Sequence, residues 1–529
     1  MKANCARVAS AAVLLLGVVC LERASGAQSG SMSAPERSTI AQSLTPPALS
    51  QARVDASLIE FPLPPGEQRY GAIDGRKLHQ YVVDLAQIAL RYRDAGHAQF
   101  WGRLIGTSSE LETDRWLAGK FKALGLSDVR VQKLELPPQW MPQSWSVSIR
   151  GAGESLPLSS AQPAYYANAL PPGGLELDAV YAGLGTEADF IGKDVRGKAV
   201  FLYGMLGLPD EGSERAVKRA DAKGAAVIFA VSMLPGNMHY QAYPSSTKAP
   251  CFYLGNDDGS VARRMIEAMH GAGAPKVKVT LNVQKVPNLK SELVWGTLPG
   301  ATDETIYVTA HKDGWFQGAS DNAGGVASML GLAEYYAKIP QAQRRRTMIF
   351  IGLDGHHNEG ERGLVTGGAG RRWLAEHRAT LFAKTALVIN DEHPATLQTQ
   401  SRPRYYPGDE IAWSNMYMPL QWYAGGSTRP ELQKIAWDAF RQFGLPVELD
   451  PSPTPPASDM SYFFKFVPGV DASEYHNYFH TDWETPEVVP WTGLEAATRA
   501  FAKIIDEVNK QPLSAFQRPE DTSPGPFDE

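Results

Sequence analysis

The chain has 529 residues, enough for two or three domains, because single hydrophobic cores seldom grow beyond about 250–300 residues. A hydrophobic content of 43% and a charged content of 20% are those of an ordinary soluble globular protein. A net charge of −6 with a pI near 6.0 removes the electrostatic case for nucleic acid or an anionic membrane as a partner.

The N-terminus reads as an address. Lys2 and Arg7 precede an apolar run over 9–21, and Ser25-Gly26-Ala27 supplies small residues for cleavage. Residues 1–27 are therefore expected to be a signal peptide. The destination is the periplasm or the extracellular space, and the run is too short for a stable membrane anchor. Cys5 and Cys20 fall inside this segment, which leaves Cys251 alone and permits no intrachain disulfide. Residues 28–70, rich in Ser, Ala, Pro and Gln, read as a linker or extended arm.

Residues 71–150 begin with helical patterns. In the second of these, Leu111, Trp116-Leu117, Phe121 and Leu124 recur at helical spacing, Ser108 or Ser109 offers a cap, and Gly125 a stop. The strand pattern DVRVQKLEL comes next. Over 151–288 the texture changes to short strands and turns (LDAVYAG, KAVFLYG, AAVIFAVS, APCFYLG, VKVTLNVQ) around one helix. His239 and His270 are isolated there, so this is read as a non-catalytic β-rich insert. From 289 to 512, near-continuous apolar strands alternate with amphipathic helices. The expected fold class is α/β, with a mostly parallel central sheet and helices on both faces. The tail from 513 to 529 reads as disordered.

Ligands in such folds gather beyond the carboxyl ends of the strands. Three strand ends here carry metal-capable residues: His311, Asp354-Gly355 and Asp391-Glu392. Residues 306–327, IYVTAHKDGWFQGASDNAGGVA, are the most informative stretch. His311 closes an apolar strand, and Asp313, two residues on, can orient its far nitrogen, as outer carboxylates do for zinc-bound histidines. Asp321 emerges near a helix N-terminus and could bridge two ions. His377 and His476 read as surface residues, leaving His311, His356, His357, His393 and His480. Imidazole and carboxylate together favour zinc. Two ions about 3.5–4 Å apart would share a water and polarise a carbonyl. No Gly-x-Ser-x-Gly elbow is present, and Cys251 lies in an apolar strand, so a covalent nucleophile is not supported.

These motifs resemble the co-catalytic zinc exopeptidases of the aminopeptidase and glutamate carboxypeptidase superfamily. AHKDGWFQGASDNAGG is similar to its most specific motif, HTDWET to its terminal His-[Ser/Thr]-x-x-[Asp/Glu]-Thr, and the insert resembles its protease-associated domain. The resemblance implies one zinc on His311, Asp321 and Glu392, with Asp313 orienting His311. It implies a second zinc on Asp321, His480 and a glutamate from a Glu-Glu pair. The first Glu of that pair would be the general base. This chain departs at the pair, reading LDGHHNEGERGL. Aligned without a gap, His356 replaces the base and His357 the ligand. Aligned on the glycines, Glu361 becomes the ligand and Glu359 reaches in as base. The gapless alignment is preferred because LDG comes directly after the strand. Asp459, in a Ser-Asp loop, and Tyr478, beside Phe479 where the family commonly has Tyr, are candidates for substrate binding. Asp471 and Glu474, with no arginine nearby in sequence, suit a free amine better than a C-terminal acid.

The resulting expectation is an exported zinc exopeptidase, an aminopeptidase first, with one or two zinc ions and a peptide or aminoacyl substrate. The replaced pair keeps two alternatives open. One is an impaired, receptor-like relative, and the other is an amidohydrolase or cyclase on the same scaffold.

Overall fold

Apolar, β-branched runs build the central sheet. In a computed structural model, residues 59–520 are described apart from 152, 206–210, 235, 242–246, 272, 358–368, 398, 404–408, 414–419, 426–427, 451–457 and 475–477. The expected signal peptide lies outside the described residues.

The sheet has eight strands in the order Val447–Leu449, Leu420–Tyr423, Gly469–Ser473, Thr385–Asp391, Thr305–His311, Thr347–Leu353, Lys290–Leu298, Ser127–Glu135. The third to sixth of these run parallel, and antiparallel pairings flank them. Side chains alternate across the sheet. Ile306, Val308 and Ala310 join one buried cluster, while Tyr307 points to the other face. Helices Gly75–Asp94, Gly325–Ala337 and Trp491–Asn509 supply Leu85, Leu330 and Phe501 to the first cluster. Helix Ala369–Glu376 and the turn Asp459–Tyr462 supply Leu374 and Met460 to the second. This is the expected α/β sheet with both faces covered.

The insert forms a second eight-stranded sheet. It begins earlier than the expected boundary at 151. Strand Gln139–Gly151 pairs along its length with Lys276–Val286, so the insert closes on itself where its two ends meet. Four further strands, Leu175–Tyr181, Ala199–Met205, Val227–Ser232 and Cys251–Leu254, run parallel beside it.

Two other expectations change. The described end of the arm is not free: Phe61 and Leu63 pack on the core, and the Tyr70 hydroxyl donates to Asp506 Oδ2 at 2.7 Å. The tail stays packed as far as 520. Phe516 is buried, Arg429 Nε donates to its carbonyl at 3.0 Å, and Gln517 Nε2 donates to Thr385 O at 2.7 Å.

Candidate metal centre

The polar residues converge at the carboxyl edge of the four parallel strands. Thr305–His311 ends on His311, and the exit stays paired because Lys312 N donates to Leu353 O at 3.0 Å. The Lys312 ammonium is buried between Glu110 Oε1 at 3.0 Å and Asp114 Oδ1 at 2.9 Å, tying this strand end to helix Ser108–Ala123. Arg103, also buried, donates to the carbonyls of Lys312 at 2.9 Å, Gln317 at 2.6 Å and Gly318 at 3.0 Å. That fork shapes the loop leading to Asp321. The loop needs its glycine: Gly318 has φ +50, and a Cβ there would lie 2.6 Å from Asp321 O.

Asp321 is the hub. Its Oδ1 lies 3.1 Å from His311 Nε2 and 3.0 Å from His393 Nε2. Its Oδ2 lies 2.7 Å from His357 Nε2 and 2.9 Å from His480 Nε2, and those two nitrogens are 3.2 Å apart. Asp313 turns Oδ1 toward His311 Nδ1 at 3.5 Å and Oδ2 toward His357 Nδ1 at 3.2 Å. One carboxylate thus orients two imidazoles, leaving both Nε2 atoms facing Asp321. Glu392 lies just past strand Thr385–Asp391; Asn390 Nδ2 holds its Oε2 at 3.0 Å, so Oε1 faces His356 Nε2 at 3.6 Å. Glu484 joins the two halves, accepting from Asp321 N at 2.6 Å and from His480 N at 2.9 Å. The acid of the His-Thr-x-x-Glu motif is therefore a latch between the loops that carry Asp321 and His480.

The donor set fits a dication. His311 Nε2 and Asp321 Oδ1 are buried and face one another out of hydrogen-bond alignment. Donor separations of 2.7, 2.9 and 3.2 Å around Asp321 Oδ2 approach the roughly 3.3 Å between tetrahedral ligands each about 2.0–2.1 Å from zinc. Electrostatics agree. Against the pull of burial, Asp313 and Asp321 hold His311 well above its ordinary value, and Asp321 with Asp313 raises His357 to about 9. Burial pushes His480 down to about 3, and burial followed by the nearby Asp459 charge holds Glu392 well above the carboxylate range. A dication would displace the protons that His311, His357 and Glu392 hold and would let Glu392 ionise beside the already ionised Asp321.

The structure brings together His311, Asp313, Asp321, His356, His357, Glu392 and His480. His357 beside Asp321 and His480 is the arrangement of the gapless alignment; Glu359 and Glu361 lie outside the described residues. The residues expected to bind substrate are all buried, as the metal-facing residues are. Asp459 is fully buried, with Oδ1 against His356 Nδ1 at 3.0 Å and against Arg371 Nη1. Tyr478 is buried with Leu234, Met238 and Trp483. Asp471 and Glu474 are buried too: Asp471 accepts from Asn390 and Ser458, and Glu474 from Thr396 N at 2.8 Å.

Sequence reasoning did not find roles for His393, Arg103, Arg371 or Glu484. His393 adjoins Glu392 in the NDEH run, and its φ of +46, rare for a residue with a side chain, was invisible in sequence. The insert also reaches this centre. Gln241 N donates to His480 O at 3.0 Å, and His239 Nδ1 meets Asp482 Oδ2 at 2.8 Å. Trp315 packs its ring 4.6 Å from His357 and 4.7 Å from His480.

Comparison with known proteins agrees with this site. Residues 294–505 match Peptidase family M28. The aminopeptidase YwaD of Bacillus subtilis is 24% identical over 398 residues, which cover 74% of this chain and 74% of that protein. Among solved structures, a peptidase M28 precursor from Shewanella amazonensis superposes with a TM-score of 0.60 at 18% identity, covering 85% of this chain and all of that one. The zinc aminopeptidase BSAP of Bacillus subtilis superposes with 0.57 at 17% identity, covering 84% and 98%. The family match contains all four parallel strands and the acids and imidazoles that face Asp321, and the chain is a metallopeptidase of the zinc exopeptidase superfamily.

Proposed function

We propose that the protein is an exported zinc-dependent aminopeptidase that hydrolyses peptide bonds with metal-activated water. One observation carries this reading: the two oxygens of Asp321 face imidazoles from different strand ends, His311 on one side and His357 with His480 on the other. His311, Asp321 and Glu392 would hold one zinc, and Asp321, His357 and His480 a second. Zinc bound there supplies Lewis acidity, which acidifies a water and polarises the scissile carbonyl. Asp313 orients His311 and His357. His356, whose Nε2 borders Glu392, takes the proton of the attacking water. Trp315, almost fully buried, closes the centre against bulk solvent.

The aminopeptidases among the similar proteins support the substrate class, and the N-terminal charged and apolar pattern supports export. Among the described residues, no helix is long and apolar enough to cross a membrane. The insert fits a protease-associated domain. Metal analysis of the purified protein, with a panel of aminoacyl amides assayed before and after chelation, tests the reading. It predicts two zinc ions per chain and amide release that is lost to chelator and restored by zinc. A protein that holds no zinc, or that releases no amine from any member of the panel, contradicts it.

A further inference from the structure

His356 could serve as a ligand or as a proton acceptor, and its ring orientation separates the two. Its ring lies face to face with that of His311, centroids 4.3 Å apart and planes 11° from parallel. An ion bound through an imidazole nitrogen sits close to the plane of that ring. Two nearly parallel rings therefore cannot both aim at one ion, and His356 stands beside the centre rather than within it.

Two separate elements, a turn and a helix, clamp this one imidazole. Asp459, at the start of the turn Asp459–Tyr462, places Oδ1 3.0 Å from His356 Nδ1. Arg371, on helix Ala369–Glu376, donates through Nη1 to the same oxygen, while its Nη2 donates to Gly355 O at 3.3 Å. Arg371 therefore grips both the carboxylate and the backbone just before His356. Ser458 fixes the turn: its Oγ accepts from Met460 N at 3.1 Å and donates to Asp471 Oδ2 at 2.6 Å. Arg371 and Asp459 are wholly buried. Burial alone would raise Asp459, but the Arg371 guanidinium outweighs it and keeps the carboxylate ionised. An ionised acceptor at Nδ1 selects the tautomer with hydrogen on Nδ1, as in other carboxylate–imidazole pairs.

We propose that Asp459 and Arg371 are positioning residues that hold His356 as its Nδ1–H tautomer, so that Nε2 carries no hydrogen and accepts the proton of the attacking water. This rests on the peptidase reading above. The step balances. The water's proton passes to Nε2 as its oxygen bonds to the carbonyl carbon, and that proton then goes to the departing nitrogen as the C–N bond breaks. A His–Asp pair thereby does the work of the single carboxylate that the family resemblance implies at this place.

The test begins with wild-type apoprotein labelled with ¹⁵N-histidine, the His356 signal being assigned by its loss in His356→Gln. The expected spectrum shows hydrogen on Nδ1; hydrogen on Nε2 overturns the proposal without reference to any assay. Kinetics then compare Asp459→Asn in two backgrounds. In the otherwise native enzyme, kcat should fall roughly a hundredfold or more, with KM and zinc content unchanged. In His356→Glu, where the proton acceptor needs no partner at Nδ1, the same change should cost less than about threefold. Equal losses in both backgrounds would show a merely structural role and sink the proposal, as would undiminished kcat in the first. Because Asp459→Asn leaves Arg371 without its carboxylate, Arg371→Lys is run beside it, and it should lower kcat less while keeping the tautomer. An enzyme that binds zinc and cleaves amides yet carries the wrong tautomer overturns only this relay, whereas failure to bind zinc overturns the peptidase reading.

Discussion

The protein contains two eight-stranded sheets, each with four adjacent parallel strands, and among the described residues only one of them gathers imidazoles and carboxylates past its strand ends. The difference lies in the residues just past the strand ends. In the central sheet the strands lead into His311, Asp354 to His357, and Glu392 with His393. In the insert they lead into Ala182-Gly183, Met233-Leu234 and Gly255-Asn256. The same backbone architecture thus becomes a metal centre or a plain support according to a few residues at one edge. The insert's edge has a task of its own. The segment after Val227–Ser232 brings Gly236, His239 and Gln241 against the loop that presents His480.

The contrast can be broken most severely at the catalytic edge. His311→Ala should remove bound zinc and lower kcat/KM at least a thousandfold, since losing several kcal/mol of electrostatic stabilisation has about that effect; elemental analysis and amide hydrolysis read both. Glu484→Gln keeps the size of the side chain but leaves one of the two backbone donors, Asp321 N or His480 N, without an acceptor. Zinc affinity should fall about 10–100-fold, measured by competition with a chromogenic chelator. At the insert's edge the effects should be smaller. Gly236 has φ +102, and a Cβ there would lie 2.3 Å from the Trp483 ring, so Gly236→Val should destabilise the protein by about 1–3 kcal/mol in urea titration. Unchanged stability in that variant would mean the insert does not grip the loop.

The smallest effect concerns His239. Burial lowers its affinity for protons, but the facing Asp482 outweighs this and raises it above the ordinary histidine value. The sign is then set: the pair contributes fully below the unfolded-state value, and that contribution fades as pH rises through the raised folded-state value. The melting-temperature gap between wild type and His239→Gln should therefore be widest in mild acid and close in alkali. A gap that widens with pH would contradict the pairing.

Much of the centre was legible in the sequence because strands announce their ends. A run of β-branched residues that stops at His311, Asp354 or Asp391 marks the position where a parallel sheet delivers ligands. The grouping of Glu392 and His480 with His311 came from the family resemblance of the NDEH and HTDWET stretches, not from a local pattern. Partner choice was not legible. His356 and Asp459 are 103 residues apart, and nothing in a local pattern distinguishes a buried partner from a pocket wall. Tyr478 has the composition of a substrate contact but faces the insert, because Met238 and Leu234 offer it an apolar seat. The insert's true beginning at Gln139 is set by pairing with Lys276–Val286, a contact distant in sequence. Leu513, Ala515 and Phe516 form an apolar group too short for periodicity to weigh in an otherwise polar tail.

The central claim is that strand ends of one sheet gather a dication around Asp321. Anomalous diffraction from crystals of the zinc-loaded protein, recorded on both sides of the zinc edge, tests this directly. The account predicts one peak within bonding reach of His311, Glu392 and an Asp321 oxygen, and another shared by His357, His480 and the second Asp321 oxygen. A map with no peak bonded to Asp321, or with zinc bound elsewhere on the molecule, would contradict it.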